Sequence, residues 1–388
     1  MKKIVSLSLM ALGSVLYADM STQEFLYKDA RIMGAGGANT AVGGYSASVF
    51  YNPAGLIKIK KSHGMEVELL GLTATASEKT QAFANDIKGA SDTQVVDVVK
   101  KYSGEAFNAN VSNYSSFSYH ADSNFAYSIG ILAATDVNFI PHANDGANGL
   151  IEAHARSYGG VVLGGAYTLG ESLTLGVSAK YIEQKSYEAG LTSNEVIANK
   201  DNLVQYLQDT YEVANSGFGV DVGLLYQPTP KSSLNPSFGV SLINAGTLNF
   251  ADAYGAQPMT LNFGAAIAPD LSFFNSFVVS VDYVDALNVQ QLRQRNYNPA
   301  RTNDQYDNAN ISFDMLQHVR AGVSAGLVDN SWFLLTLNGG FYQAAYTAGL
   351  DMQLAIIKIQ VATYQEQLGA IVGQLTDRRY VVSLGIGW

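Results

Sequence analysis

Apolar and polar positions alternate along much of this chain. In the final segment, RRYVVSLGIGW, every second residue is apolar or aromatic: Tyr380, Val382, Leu384, Ile386 and Trp388. The same alternation recurs at 173–181, 218–226, 261–267 and 277–283, where Gly, Ser, Thr, Asp and Lys occupy the second face. Segments of about ten such residues are long enough to cross a bilayer as tilted strands. The pattern therefore predicts membrane-spanning β-strands.

About fourteen segments fit this description. We expect strands at 62–79, 111–121, 124–137, 153–169, 172–188, 215–228, 236–247, 258–268, 276–287, 315–327, 332–341, 344–354, 356–367 and 376–388. Their connections alternate between long and short, and the long ones all fall on one side, which is typical of a bacterial outer-membrane barrel. A soluble β-sandwich would also alternate, but the strand lengths and the tyrosines near strand ends favour an all-β, transmembrane antiparallel barrel. The division of 344–367 into two strands has no Gly or Pro to support it.

Two long connections contain helix signals. In SDTQVVDVVKKYSG, Ser91 and Gln94 form a capping box and Gly104 follows the helix. Apolar residues share one face of each predicted helix: Val95, Val98, Val99 and Tyr102 in the first, and Leu203, Leu207 and Tyr211 in the second. These faces either pack onto the rim of the barrel or form a site that gathers an apolar ligand.

The chain begins with the features of an export signal. Lys2 and Lys3 precede an apolar stretch at 4–16, and Ala18 provides a small residue for cleavage, which predicts a signal peptide at 1–18. A membrane anchor helix is the alternative. The apolar stretch is too short for it, because a helix needs about 20 apolar residues to span a bilayer.

Composition narrows the classes of function. The 388 residues include 37 Gly and 23 Tyr but no Cys, so disulfides and thiolate metal sites are excluded. The formal net charge of −10 and the absence of Lys/Arg clusters argue against nucleic acid as a partner.

Candidate chemistry is sparse. The run GAGGANTAVGG does not complete a dinucleotide-binding fingerprint, and the sequence contains no G-x-S-x-G motif. The histidines follow no metal-ligand spacing: His63, His120, His142, His154 and His318. We therefore predict no catalytic residues, no metal site, no cofactor and no enzymatic activity. Four charged strand positions are expected to face the lumen, because lipid would not tolerate them: Lys180, Asp221, Asp282 and Arg320.

The stretch from Arg31 to Lys60, RIMGAGGANTAVGGYSASVFYNPAGLIKIK, resembles the N-terminal hatch of the FadL/TodX family of outer-membrane transporters for hydrophobic compounds. The residues that carry the resemblance are Gly34, Gly36, Gly37, Asn52, Pro53 and Ala54. It implies a hatch at 19–60 inside a fourteen-stranded barrel at 61–388. It also implies passive uptake of long-chain fatty acids or aromatic hydrocarbons, with capture near external loops, rearrangement of the hatch and release through a gap in the wall. We expect Asn52 to hold the hatch through bonds to the backbone and Pro53 to set its kink.

The C-terminal segments resemble a less characterised relative of that superfamily, often labelled conjugal-transfer TraF-like. Tyr380 and Trp388 resemble the signal read by the barrel assembly machinery. The expected partners are this machinery, outer-membrane lipids and a hydrophobic small molecule, and the expected state is a monomer in the outer membrane of a Gram-negative cell. The alternative function is a non-transporting barrel that acts as a scaffold for protein secretion or surface assembly, of the PorV kind.

Overall fold

The computed structural model describes residues 25–59, 65–120, 124–146, 149–228, 232–295, 306–309, 312–330 and 332–388. The predicted signal peptide at 1–18 and the predicted boundary between residues 60 and 61 lie outside these ranges. Within them, no helix is both long enough and apolar enough to cross a membrane.

Fourteen antiparallel strands form a closed barrel, as the sequence predicted. Numbered along the chain, they are β1 Met65–Ser77, β2 Phe107–His120, β3 Phe125–Gly146, β4 Gly149–Leu169, β5 Leu173–Leu191, β6 Val213–Tyr226, β7 Ser237–Gly246, β8 Thr260–Ile267, β9 Ser276–Tyr283, β12 Val319–Asp329, β13 Phe333–Tyr342, β14 Ala345–Leu354, β15 Ile357–Gln367 and β16 Thr376–Gly387. Two short strands, β10 Leu292–Arg295 and β11 Tyr306–Ala309, pair only with each other. Neighbours along the chain pair around the barrel, β9 pairs with β12, and β1 pairs with β16 to close it.

The barrel is apolar on its outside. On β16, Leu384 is 50% exposed while its neighbour Ser383 points inward and is buried. Large apolar side chains are exposed in this way on strand after strand around the barrel. An exposed apolar surface of this extent needs lipid around it, which is the arrangement of a transmembrane barrel.

The predicted division of 344–367 is confirmed. β14 and β15 meet at Ala355, whose φ of 52° makes the turn without glycine or proline. The loop predicted at 138–152 is wrong, because β3 and β4 continue as a paired hairpin through most of it. The hairpin extends because its apolar residues pack at the rim, where Phe139 stacks on Phe107 of β2 with ring centroids 4.7 Å apart.

In the part of the chain that the structure describes, six short α-helices accompany the barrel: α1 Ala30–Gly34, α2 Thr80–Gly89, α3 Asp92–Lys101, α4 Ser193–Ala198, α5 Leu203–Tyr211 and α6 Met315–His318. Helices α3 and α5 are the two that the sequence predicted, and Gln94 Oε1 accepts from Ser91 N at 3.1 Å in the predicted capping box. Helix α2 was missed. The strand predicted to begin at 315 begins at Val319, because α6 forms a helical turn that Gln317 ties to the backbone of the β15–β16 connection.

Candidate functional site

The N-terminal segment, residues 25–59, packs against the inward faces of the barrel strands. It contains α1 and two 3₁₀ helices, Ser46–Phe50 and Pro53–Lys58. Hydrogen bonds join it to opposite parts of the wall: Ser178 on β5 donates to Val49 O (3.1 Å), and Thr347 on β14 donates to Gly34 O (2.8 Å). The segment is therefore tied to the barrel on more than one side.

Asn52 connects three stretches of backbone. Its Oδ1 accepts from Ala54 N (3.0 Å) and caps the 3₁₀ helix that Pro53 begins. Its Nδ2 donates to Thr40 O within the segment (2.7 Å) and to Leu224 O on β6 (3.1 Å). Asn52, Pro53 and Ala54 are all buried. A sealing role for these residues and an opening movement both stay predictions.

Pairs of glycines make room for the backbone of this segment. Gly176 on β5 is paired with Gly223 on β6. A Cβ on Gly176 would lie 2.1 Å from Ala54 N, and a Cβ on Gly223 would lie 1.9 Å from Asn52 Oδ1. Two more cross-strand pairs receive the backbone near Thr40 and Ala35: Gly239 with Gly264, and Gly322 with Gly340. Sequence reasoning missed these contacts, although glycine on the inward face of alternating strands was visible.

The glycines predicted for the hatch lie against β12–β14. Gly36 has a φ of 72°, and a Cβ there would lie 1.9 Å from Ala321 O. Gly37 has a φ of 75° and faces the ring of Tyr342. Gly34 approaches Gly349 on β14. Side chains at these positions would push the segment away from the wall.

Charged groups fix the segment and the wall around it. Asp282 on β9 accepts from the amides of Asn39 and Thr40, both at 2.7 Å. Lys180 and Asp221 form a buried ion pair at 2.9 Å. As the sequence predicted, these strand charges face inward, as does Arg320, which lies over the ring of Tyr342.

Asp29 and Lys58 of the segment have pKa values below their usual ranges. Burial would raise the pKa of Asp29, but Arg31, whose Nη2 lies 3.0 Å from Asp29 Oδ2, outweighs burial and holds that pKa below its usual range. Burial lowers the pKa of Lys58 to about 8. The Lys58 ammonium donates to Ala41 O (2.8 Å) and to Ser237 Oγ on β7 (3.1 Å), which are neutral acceptors.

Aromatic rings join the start of the segment to one side of the lumen. Tyr27 and Phe50 both pack on Tyr114 of β2, with ring centroids 5.4 and 4.9 Å apart. Phe25 stacks on Tyr51 at 4.4 Å. Tyr158 Oη on β4 donates to Leu26 O (3.0 Å). This side of the lumen is consequently apolar and aromatic.

Ion pairs lie close to these aromatic rings. Lys28 pairs with Glu366 on β15, and Arg379 on β16 bonds Asp377 at 2.6 Å. Arg156 on β4 lies 3.3 Å from Asp136 on β3 and packs over the ring of Tyr158. Each pair joins opposite charges, and apart from the half-buried Lys28 these residues are buried.

A small inner cavity lies among these aromatic and charged residues. Its volume is about 40 Å³, and its lining includes Tyr27, Asn108, Ser112, Arg156 and Tyr158. Dry cavities that bind benzene measure about 150 Å³. The inner cavity in this arrangement is therefore too small for an aromatic hydrocarbon.

A much larger groove of about 920 Å³ opens on the outside of the wall, across strands β1 to β6. Its lining includes exposed apolar residues, Leu72 and Val111, the aromatic Tyr181, and charged residues, Glu183 and Lys185. Ser112 and Tyr158 line both the groove and the inner cavity. Only the thickness of the wall separates the two.

The wall between groove and cavity is closed. β2 pairs with β3 in unbroken register along the whole of β2, and β3 pairs with β4 in unbroken register through this region. The irregular strand is β1, whose register to β2 shifts between Glu68 and Leu72. Side chains of β2 satisfy the freed backbone groups: Asn113 Oδ1 accepts from Gly71 N (3.0 Å) and Ser115 donates to Leu69 O (2.9 Å). The gap in the wall that the family resemblance implies is absent from these paired strands.

Connections on the long-loop side fold over the mouth of the barrel. Arg293 on β10 pairs with Glu188 on β5, and Arg156 donates to Gly255 O (3.0 Å) in the β7–β8 connection. Tyr254 Oη accepts from Asn138 on β3 at 2.8 Å. The described parts of these connections thus contact the lumen side of the tall wall formed by β3, β4 and β5.

The two helix faces predicted as ligand-gathering come together in one apolar cluster at the rim. Val95, Val99 and Leu207 are buried there among residues of β4 and β5, and Leu203 and Tyr211 pack against them. Val98 is half-buried, and Tyr102 packs edge-on against Phe83 of α2 at 5.3 Å. The arrangement is one of rim packing, and a part in gathering ligand stays a prediction.

The remaining predicted residues lie at the seam of the barrel. Tyr380 and Trp388 point outward from β16, and the backbone of Trp388 exchanges two hydrogen bonds with Val67 on β1 (2.8 and 3.0 Å). Within the described ranges, no group of three or more His, Asp or Glu side chains is arranged to hold a metal ion.

Solved structures with a similar fold include toluene transporters and a monoaromatic hydrocarbon channel. The toluene transporter TbuX of Ralstonia pickettii aligns over 93% of this chain and 97% of its own, with a TM-score of 0.57 and 14% identity. The monoaromatic hydrocarbon channel CymD covers 96% and 97%, with a TM-score of 0.52 and 13% identity. The toluene transporter TodX of Pseudomonas putida covers 94% and 99%, at 0.50 and 13%. No protein-family profile and no curated protein matches the sequence. The chain therefore has the fold of the FadL-type hydrocarbon channels TbuX, CymD and TodX.

Proposed function

We propose that this protein is an outer-membrane transport protein of Gram-negative cells that takes up hydrophobic compounds passively, such as long-chain fatty acids or aromatic hydrocarbons. The observation that carries the proposal is a pair of neighbouring spaces whose linings share Ser112 and Tyr158, one inside the barrel and one on the outer face of its closed wall. The names of TbuX, CymD and TodX, toluene transporters and a monoaromatic hydrocarbon channel, support the same class of cargo.

Burial provides the driving force in this proposal. Each CH₂ that leaves water contributes about 0.8 kcal/mol, so an apolar surface captures such cargo without an energy source. Leu72, Val111 and Tyr181 supply that surface in the groove. Cargo that crosses from the lumen at this point reaches lipid directly.

Passage requires the inner cavity to enlarge. Residues 25–28 line this cavity. In the proposed mechanism residues 19–60 act as a hatch, and displacement of the hatch makes room for cargo beside Tyr158. The lateral step also requires local separation of strands that are paired in this structure.

A disulfide tests whether the hatch must move. A Cβ on Gly164 of β4 would lie 3.7 Å from the Cβ of Val49, which suits a disulfide, and the chain has no other cysteine. We expect cells that produce the Val49→Cys/Gly164→Cys protein to lose uptake of labelled toluene and fatty acid when oxidised and to regain it after reduction. Each single cysteine variant is the control. Full uptake by the oxidised double variant would show that this part of the hatch stays in place during transport.

A second candidate function has its own observation. The inner cavity beside Tyr158, at about 40 Å³, is too small for an aromatic hydrocarbon, which suits a barrel that scaffolds secretion or surface assembly. Uptake assays in cells with and without the gene separate the two. Unchanged uptake of every hydrophobic compound, together with a protein that cross-links to the long loops, would favour the scaffold and overturn the transporter.

A further inference from the structure

Apolar side chains are exposed above the ends of β8, β9 and β12 on the long-loop side. We define the outer-rim patch as Met259, Leu287, Met315 and Leu316. Leu287 is 52% exposed, Met315 67% and Leu316 48%. Hydrogen bonds place their chains side by side: Val284 N donates to His318 O (2.9 Å) and Ala286 N donates to Leu261 O (2.8 Å).

The polarity of this region is inverted relative to a surface in water. In the connections that carry this patch, several polar residues are buried. Asp285 accepts from the amides of Val289 and Gln290 (both 3.0 Å), and His318 Nδ1 lies 2.9 Å from Val284 O. Gln317 is likewise buried and bonds the backbone of the β15–β16 connection. Apolar residues outside and polar residues inside is the arrangement found where a surface faces lipid.

Strand length supplies an independent reason. β8 and β9 have 8 residues each, against 22 in β3. Tilted strands of that length rise by about 20 Å, less than the apolar band of about 25 Å around a transmembrane barrel. The outer-rim patch extends the apolar surface of Phe263 and Val281 beyond the strand ends. On the short-turn side, Phe273 extends it in the other direction.

We propose that the outer-rim patch is seated in the acyl chains of the outer leaflet. The occupant is lipid because the patch continues the lipid-facing surface of the same strands. The connection between β9 and β12 then has both ends in the bilayer, at Leu287 and Met315, while Arg293 between them pairs with Glu188 over the lumen. Insertion of this connection into lipid is separate from cargo transport, and it requires only that the barrel is embedded with these loops at the bilayer surface.

Tryptophan quenching tests the proposal. The native tryptophans, Trp332 and Trp388, are replaced by phenylalanine, which keeps an aromatic residue at the C-terminus. Met315→Trp then reports on the patch. Val204→Trp is the matched control, because Val204 on α5 is similarly exposed, at 62%, above the tall wall. Both proteins are refolded into phosphatidylcholine vesicles with or without bromine on the acyl carbons nearest the headgroups.

Brominated lipid is expected to reduce the emission of the Met315→Trp protein by about twofold and to leave that of the Val204→Trp protein nearly unchanged, since only residues within the headgroup and acyl boundary contact the quencher. Leu287→Trp provides a second reporter if the first variant does not refold, as judged by heat-modifiable migration in gels. Equal quenching at 315 and 204, or none at 315 and 287, would overturn the proposal. Protection from the quencher together with cross-linking between barrels would assign the patch to a second copy instead.

Discussion

At the scale of single residues, the smallest side chains lie where the N-terminal segment comes closest to the wall. Gly176 and Gly223 admit the backbone of residues 52–54, and Asn52 bonds the carbonyls that this close approach leaves buried. A buried carbonyl without a donor costs about 1–3 kcal/mol. Shape and hydrogen bonding therefore position this part of the segment together.

The close approach at Gly176 predicts the effect of one methyl group. Gly176→Ala is expected to lower the free energy of unfolding by about 1–3 kcal/mol, because its Cβ would meet backbone atoms on the segment that have little freedom to shift. Gly165→Ala on β4 is the control, since the nearest atom to its Cβ would be 3.8 Å away. Urea denaturation in detergent measures both. Equal urea midpoints for the Gly176→Ala and Gly165→Ala proteins would contradict the close approach of the segment to Gly176.

Lys58 predicts a dependence on pH. Burial lowers its pKa from 10.5 to about 8, so between these values the unfolded chain binds more protons than the folded protein. The free energy of unfolding should therefore rise as pH increases through this window. Below about pH 8 Lys58 is protonated in both the folded and the unfolded state, so it adds no further dependence on pH. Lys58→Met is expected to remove this rise. If the free energies of unfolding of the two proteins changed in parallel between about pH 7 and about pH 10, the pKa of Lys58 would not be lowered by burial.

At the scale of elements, the sequence predicted helices with a regular apolar face and missed packing that depends on distant residues. Helix α3 was predicted from its capping box and apolar face, and both are present. Helix α2 was missed because its packing face contains little more than Phe83 and Ile87. Phe83 becomes informative only beside Phe107 and Phe139, which come from other parts of the chain.

Neighbouring valines on α3 separate rim packing from ligand gathering. Val99 is fully buried and Val98 is half-buried. Val99→Ser is expected to destabilise the docked helix by about 1–3 kcal/mol and to speed hydrogen exchange of its amides by roughly tenfold or more, whereas Val98→Ser should change exchange little. A loss of hydrophobic uptake in the Val98→Ser protein, with unchanged exchange, would assign that residue to ligand gathering.

At the scale of the whole molecule, the closing strand joins the first. Trp388 bonds Val67 through its backbone, and its side chain is 45% exposed. Its part in the assembly signal stays a prediction.

This placement predicts a defect in assembly. Trp388→Ala is expected to reduce the amount of heat-modifiable barrel in the outer membrane severalfold, while Trp388→Phe should assemble normally. Trp332→Ala is the control, because Trp332 is also exposed but lies in a turn. The amount of folded protein in isolated membranes measures the effect. Normal assembly of the Trp388→Ala protein would remove Trp388 from the assembly signal.

The sequence by itself determined the class of fold, the number of strands and the inward direction of the charged strand residues. These properties follow from a period of two residues. A short stretch of sequence shows this period, because neighbouring side chains point to opposite faces of a strand. Capping and apolar spacing determined α3 and α5 for the same reason, since their signals span only a few residues.

Tertiary structure alone decided how the inside of the barrel is filled. The glycine pairs under the N-terminal segment, the ion pairs in the lumen, the groove behind Ser112 and Tyr158, and the unequal height of the wall all depend on residues that are distant in sequence. The alternating pattern predicts that Gly176 faces inward. Only the packing of residues 52–54 against Gly176 explains why a larger residue is excluded at this position. Such contacts arise from strand register and from the path of the segment, and neither is encoded within a local window.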